Sequence, residues 1–311
     1  MKSEKILITG ANGLVGSALT RYLKDRDYNI FPITRNEADL FIFDETLNII
    51  NEIKPTMIIN SAAKVGGILA NNENRTEFII ENLKINMNLL EAIKSNKDIK
   101  FINLGSSCIY PLNAPNPIKE ESIMSGQLEP TNSPYAMAKL TAIEIGDAIS
   151  KQHGNTIINL MPTNLYGPND NFDENSSHVI PGLISRMHES KNNNEATFNI
   201  WGTGNPLREF LFVDDLSSAV EFVITNNIED DLLNVGSGEE ISIKDLSSKI
   251  KDLIKFKGSL EFDDSKPDGN PRKLLDSSLI NSLGWNSSVD LDKGLELTYD
   301  WFKENYETLR K

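Results

Sequence analysis

Tyr135 and Lys139 stand four residues apart in the run Ser133-Pro134-Tyr135-Ala136-Met137-Ala138-Lys139. That spacing puts both on one face of a helix, one turn apart. Ser133 as N-cap and Pro134 as first helical residue predict that the helix opens here. An ammonium ion beside a phenol makes the phenol easier to ionise, which suits a tyrosine that hands a proton to an alkoxide near neutral pH. A packed aromatic beside a solvated lysine would give the same two letters. The neighbouring motifs decide between the two.

Gly10-Ala11-Asn12-Gly13-Leu14-Val15-Gly16 follows the apolar run Lys5–Thr9, and Leu14, Val15, Ala18, Leu19, Tyr22 and Leu23 then recur at helical spacing. Strand, glycine turn and amphipathic helix open a dinucleotide-binding unit, in which glycines let the backbone approach a pyrophosphate seated on the helix N-terminus. The second strand, 29–34, ends at Arg35, where an NAD-binding chain would place Asp or Glu for the ribose 2′-hydroxyl. A planar guanidinium suits a 2′-phosphate instead, so NADP(H) is the expected cofactor; a surface arginine is the plainer alternative. Asn60-Ser61-Ala62-Ala63 closes the next strand with small residues, past which a cofactor can run close to the backbone. Gly105-Ser106-Ser107-Cys108 leaves the carboxyl end of strand 100–104, the edge at which ligands gather in doubly wound sheets. A serine hydroxyl there can hold a carbonyl. For Cys108 the residues alone favour a buried free thiol over a catalytic one.

Strands at 5–9, 29–34, 57–60, 100–104 and 156–161 alternate with helices, among them 75–95 and 134–152. This predicts an α/β fold with a doubly wound parallel (Rossmann) sheet. Beyond residue 165 the character changes. A Pro-, Gly-, Asn- and Asp-rich loop, 167–177, leads through His178 into a helix carrying Arg186. Strands 198–202 and 209–213 flank a Gly202–Pro206 turn, and a strand 232–235 and helices 243–255 and 290–305 follow. The expected division is a cofactor domain over 1–165, with segments returning from about 210–237, and a smaller α/β substrate-binding domain over 166–311.

Across 311 residues the net charge of −14 argues against nucleic acid or an anionic membrane as partner. No run is long enough to span a membrane, and Met1–Lys5 leads into a strand rather than a signal peptide, so a cytoplasmic location is expected. One cysteine and three scattered histidines offer neither a disulfide nor a metal-ligand spacing. On so acidic a chain an anionic substrate must be held by a few named cations.

With these residues in place the chain resembles the extended short-chain dehydrogenase/reductases that modify nucleotide sugars, and among them the GDP-L-fucose synthases. The resemblance rests on Ala62–Ile68, Gly105–Pro111, Met161–Pro168, Ser177–Pro181, Trp201–Gly204, Arg208–Leu211 and Lys266–Lys273. It implies that a GDP-linked 4-keto-6-deoxy sugar is inverted at C3 and C5 and then reduced at C4 with NADPH. Cys108 matches the family's base, because a thiolate can remove the acidic protons flanking a ketone once its pKa is lowered. His178 matches the acid on the opposite face. Tyr135 protonates the C4 oxygen, Lys139 tunes Tyr135 and binds the nicotinamide ribose, and Ser106, four residues before Tyr110, orients the carbonyl.

The resemblance further implies cofactor contacts from Gly10, Asn12, Gly13, Leu14, Val15 and Gly16, and from Arg35, Ala62, Ala63 and Leu104. Pro162, Asn164, Leu165 and His178 complete that set. Substrate contacts fall to Ser107, Asn164, Arg186, Trp201, Arg208 and Lys273, with no metal. Asn12 stands where many bacterial members carry Arg, leaving Arg35 alone to meet a 2′-phosphate. A homodimer is expected through the helices at 75–95 and 134–152, with Leu83, Met87, Ile143 and Ile145 available for burial. Colitose or heptose variants of the same GDP-sugar chemistry stay open. A dehydratase would show Asp-Glu where Ser107-Cys108 stand, and a plain 4-epimerase would need neither Cys108 nor His178. A non-catalytic NADP-binding sensor is the more distant alternative.

Overall fold

The computed structural model describes residues 4–309 except 175, 227, 229 and 267. Pro267 of the Lys266–Lys273 motif, and residues 1–3 of the amino-terminal reading, therefore lie outside the described residues. The chain runs β1 (Lys5–Thr9), α1 (Leu14–Lys24), β2 (Asn29–Pro32), α2 (Phe43–Ile53), β3 (Met57–Asn60), α3 (Ile68–Glu73), α4 (Arg75–Ile93) and β4 (Lys100–Leu104). It continues through α5 (Ser133–His153), β5 (Ile157–Pro162), β6 (Asn164–Tyr166), α6 (Val179–Asn192), β7 (Thr197–Trp201), β8 (Leu207–Phe212) and α7 (Val213–Thr225). The remainder is β9 (Leu232–Val235), β10 (Glu240–Ser242), α8 (Ile243–Ile254), β11 (Ser259–Asp263), β12 (Arg272–Lys273), α9 (Ser278–Leu283) and α10 (Leu291–Asn305).

Among the described residues six parallel strands form one sheet in the order β2-β1-β3-β4-β5-β9. Its strands are apolar on both faces, as a covered parallel sheet requires. Alternate residues point to opposite sides. Ile6, Ile8, Ile59 and Ile102 pack with Leu19 and Leu23 of α1 and Leu216 and Val220 of α7. Leu7, Ile58 and Phe101 pack on the other face with Ile50 of α2, Ile85 and Leu89 of α4, and Ala142 and Ile149 of α5. The chain winds outward in both directions from β1, so the switch point lies at the carboxyl ends of β1 and β3, where such folds bind ligands.

A second core gathers Tyr166, Phe172, Leu183, Phe198, Phe210, Leu246 and Phe302 under α6, α8 and α10. Truncating one of its fully buried rings, Phe302→Ala, is expected to cost about 3–5 kcal/mol. Here β8 pairs with β6, β10 and β12, whereas β7 pairs with β11. The strands flanking the 202–206 turn thus belong to different sheets. The strand expected over 209–213 begins at Leu207 and yields to α7 at Val213, where Asp214 and Asp215 favour a helix N-terminus.

Glu209 joins the two cores. Its buried carboxylate accepts from the N–H of Gly238 at 2.8 Å and of Leu275 at 3.1 Å, while its carbonyl accepts from Asn164 Nδ2 at 2.8 Å. Burial pushes its pKa up, and the two N–H bonds to the carboxylate pull it back.

Candidate active site

The glycine loop is built to lie close to its surroundings. Gly10 has φ +66°, and a Cβ there would come within 2.8 Å of the Ala62 backbone. At Gly16 a Cβ would sit 2.1 Å from the Gly10 carbonyl oxygen. Only glycine allows this cradle, whose open side faces the N-terminus of α1 after Gly13. A buried polar chain fixes its far wall: Thr9 Oγ1 donates to Asn60 Oδ1 at 2.8 Å, and Asn60 Nδ2 donates to Asn86 Oδ1 at 2.9 Å. The N–H of Ala62 donates to Thr9 Oγ1 at 3.2 Å, which sets Ala62 and Ala63 beside the loop. Asn169 Nδ2 donates to the Asn12 carbonyl at 2.9 Å, tying the loop after β6 to the cradle.

β2 ends two residues earlier than its sequence suggests, because Thr34 turns to meet Glu37. That carboxylate accepts from the Thr34 N–H and Oγ1, both at 2.7 Å. An acid therefore does stand near this strand end, but it caps the turn. Arg35 remains exposed, its guanidinium 4.8 Å from the centroid of the Phe41 ring.

At the end of β4, Lys139 is 2% exposed and donates from Nζ to the Leu104 carbonyl at 2.8 Å. Burial pushes its pKa down to about 8. The Tyr135 ring centroid lies 5.9 Å from that ammonium. Contrary to the simple expectation of an easily ionised phenol, Tyr135 is held above the ordinary tyrosine range. The residue is half-buried; desolvation by the protein packed around it is the main cause, and Cys108 adds to the shift, while a hydrogen bond with Ser106 works the other way. Tyr135 is thereby kept as a proton donor. Ser106 Oγ also accepts from the N–H of Cys108 at 3.2 Å, capping the short turn Ser107–Ile109 in which Ser107 itself is buried.

Ser133 proves to be the first residue of α5 and not its cap; Asn132 occupies that position without capping. The Asn132 carboxamide is turned to Cys108, with Nδ2 3.4 Å from Sγ. Lys273 reaches the same sulfur from β12, with Nζ at 3.6 Å.

The segments after β5 bring another group together. His178, at the N-terminus of α6, lines a cavity of about 50 Å³ with Asn164, Leu165, Val179, Arg208 and Phe210. The imidazole keeps contact with solvent along the cleft, yet the protein crowding its other sides holds its pKa below the ordinary value. Pro162 is buried at the end of β5. Arg186 and Arg208 are half-buried and form no carboxylate ion pair among the described residues; burial lowers the pKa of both. Arg186 lies over the Phe198 ring at 5.1 Å, and Trp201 is 59% exposed with Lys266 Nζ 5.9 Å from its centroid. A larger cavity, about 200 Å³, is lined by Met57, Lys100, Phe101, Thr156, Val223 and Ile228. It opens at the opposite edge of the sheet, away from all these groups, so chemistry rather than volume locates the site.

Sequence reasoning missed Asn132, which the Ser-Pro-Tyr opening hid one residue upstream. It also missed Glu129, whose carboxylate accepts from the N–H of Thr131 and Asn132 at 3.0–3.1 Å and so fixes the approach to α5. Arg75 braces the same turn, donating to the Pro130 carbonyl at 2.8 Å. A lone acid or base in a loop carries no sequence signal for such contacts.

Residues 6–236 match the profile of the NAD dependent epimerase/dehydratase family, and the chain belongs to that family. It further groups with the GDP-L-fucose synthases. It is 46% identical over 305 residues to one from Arabidopsis thaliana, covering 98% of this chain and 94% of the relative. It is 41% identical over 320 residues to that of Escherichia coli, covering both chains fully. A GDP-L-fucose synthetase of Naegleria fowleri, solved bound to NADP, superposes with a TM-score of 0.91 at 29% identity, over 100% of this chain and 96% of that one.

Proposed function

We propose that this chain converts GDP-4-keto-6-deoxy-D-mannose to GDP-L-fucose, by epimerisation at C3 and C5 followed by reduction at C4. The observation that carries the reading is a thiol at the mouth of the tyrosine's helix: the Cys108 N–H donates to Ser106 Oγ at 3.2 Å, and Asn132, the residue before α5, sets its Nδ2 3.4 Å from the sulfur. A plain ketone reductase or 4-epimerase has no use for that sulfur. The curated relatives, GDP-L-fucose synthases at full length, support the same reaction.

NADP(H) is the cofactor of this reading, and when bound supplies the hydride for C4. The glycine cradle and the N-terminus of α1 accept the pyrophosphate, and Arg35, with its planar cation already stacked on Phe41, meets the 2′-phosphate. Lys139 holds the nicotinamide ribose and keeps positive charge near Tyr135, which donates its proton to the C4 oxygen. Ser106 orients the carbonyl. Cys108 removes the protons at C3 and C5, and His178 returns protons from the opposite face. Arg186 and Arg208 take the diphosphate: both guanidiniums are half-buried, burial is the main pressure on their charge, and an arriving anion relieves it. Ser107, Asn164 and Trp201 complete the substrate contacts.

The division into a cofactor lobe over 1–165, with returning segments near 210–237, and a substrate lobe over 166–311 belongs to this reading, as does a cytoplasmic location. Among the described residues no helix is long and apolar enough to cross a membrane. A homodimer through the outer faces of α4 and α5 is also part of it. Ile80, Met87 and Met137 are 45–48% exposed there, whereas Ile143 and Ile145 pack against the chain's own cores. Light scattering that shows only monomer at working concentration would count against the dimer. For the reaction, the test is incubation of purified protein with NADPH and a panel of GDP-4-keto sugars, with products identified by NMR. GDP-L-fucose from the deoxymannose substrate is expected, and turnover of a different GDP-keto sugar alone would overturn the assignment.

A further inference from the structure

We propose that Lys273 and Asn132 hold the Cys108 sulfur as a thiolate, so that Lys273 is a positioning residue for the epimerising base rather than a group reserved for the diphosphate. The inference rests on the reading of Cys108 as base and assigns that base its electrostatic partners.

Two donors converge on one sulfur from unrelated parts of the chain. Lys273 Nζ stands 3.6 Å from Cys108 Sγ and Asn132 Nδ2 stands 3.4 Å from it. Both are built in. Lys273 lies on β12, in register with Arg208 of β8. The flanking backbone is fixed by Leu274 N–H donating to Asn116 Oδ1 at 2.8 Å and Leu275 N–H donating to the Glu209 carboxylate at 3.1 Å. Asn132 is fixed by its N–H donating to Glu129 at 3.0 Å. Its Oδ1 is buried without a hydrogen-bond partner, so the Asn132 side chain has the sulfur as its polar contact. The sulfur also lies beside the first turn of α5, whose N-terminal end favours negative charge. An ammonium, an amide N–H and a helix N-terminus are the surroundings in which thiolates are found.

The register sets the two cations side by side on one face of the sheet, and their contacts divide the work: Arg208 lines the cavity with His178, while Lys273, one strand over, reaches the sulfur. In the reaction the thiol proton first leaves to solvent. The sulfur then takes a proton from C3 or C5, and the C–H electron pair passes toward the C4 oxygen as an enolate. Lys273 takes no part in the proton transfer; it acts on the sulfur through the contact alone. Because Lys273 is 165 residues from Cys108 in sequence, the base is complete only when β12 is seated.

Cys108 is the only cysteine in the chain, so alkylation by iodoacetamide reads this sulfur alone and needs neither sugar nor cofactor. Lys273→Met is expected to slow alkylation at neutral pH about tenfold and Asn132→Ala severalfold, and Lys273→Arg to restore most of the rate. The ultraviolet thiolate band of the wild-type protein at neutral pH should vanish in Cys108→Ser and weaken in Lys273→Met. Exchange at C3 and C5 should fall in proportion to alkylation while NADPH affinity holds. Alkylation of Lys273→Met and Asn132→Ala at the wild-type rate would overturn the proposal, and a raised KM for the GDP-sugar alongside it would return Lys273 to the diphosphate. Absence of the thiolate band in the wild type would overturn it whether or not the variants fold. Slowed alkylation in a protein that exchanges no GDP-4-keto sugar would uphold the thiolate contact and sink the reaction instead.

Discussion

The Lys139 ammonium donates to the Leu104 carbonyl at 2.8 Å inside walls that leave the lysine 2% exposed. One charge therefore sits between the end of the central sheet and the tyrosine, and burial has moved its titration down to about 8. Below that pH the cation is present; as pH rises through it the charge is lost. The kcat/KM for NADPH, which reports groups of the free enzyme, should fall above about pH 8. Lys139→Met should lose that limb together with about 10²-fold or more of the reduction. A profile that stays flat through the alkaline range would remove Lys139 from this role.

Arg35 is expected to make the enzyme prefer NADPH to NADH. Its guanidinium is stacked on Phe41 and exposed, while the nearby Glu37 is occupied by Thr34. A charge-assisted contact to phosphate is worth about 1.5–3 kcal/mol, so Arg35→Ala should lower kcat/KM for NADPH by roughly 10- to 100-fold and leave NADH nearly unchanged. Glu37→Gln should not improve NADH use. Equal efficiency with the two cofactors in the wild-type protein would contradict the assignment.

Asp170 supplies a stability test away from the chemistry. It is 8% exposed, its Oδ2 has no partner, and burial raises its pKa to about 7. A carboxyl raised in the folded state favours folding most below its unfolded value near 4. That contribution is lost as pH climbs to about 7. Asp170→Asn, which cannot ionise, should therefore gain stability relative to wild type as pH rises from about 4 to about 7. Denaturant midpoints across that window decide it; a constant difference would mean that Asp170 does not titrate there.

What the sequence discloses here is mostly local. The cradle at Gly10–Gly16 and the pair Tyr135 and Lys139 are legible because strand, turn and helix periodicities lie within a few residues of each other. Small errors also come from local rules overridden by tertiary contacts. Asn132, not Ser133, precedes α5, and its side chain is turned to Cys108 instead of capping the helix, while β2 stops short because Glu37 claims Thr34. The contacts that shape the site are not local. Lys273 meets Cys108, and Glu209 accepts from Gly238 and Leu275, across tens to more than a hundred residues. A two-residue strand such as β12 has no periodicity to read. Ile143 and Ile145 illustrate the same limit: both look available for a partner but pack inward.

The central claim is that one site performs two separable reactions, with Cys108 acting on ring carbons and Tyr135 on the C4 oxygen. Deuterium incorporation from D₂O into GDP-4-keto-6-deoxy-D-mannose, followed by NMR without NADPH, isolates the first. Wild-type protein and Tyr135→Phe should both label C3 and C5, although Tyr135→Phe loses reduction by about 10²–10⁴-fold. Cys108→Ser should fail to label either carbon while binding NADPH normally. Labelling by Cys108→Ser at the wild-type rate would make Cys108 a packing residue and the protein a plain C4 reductase.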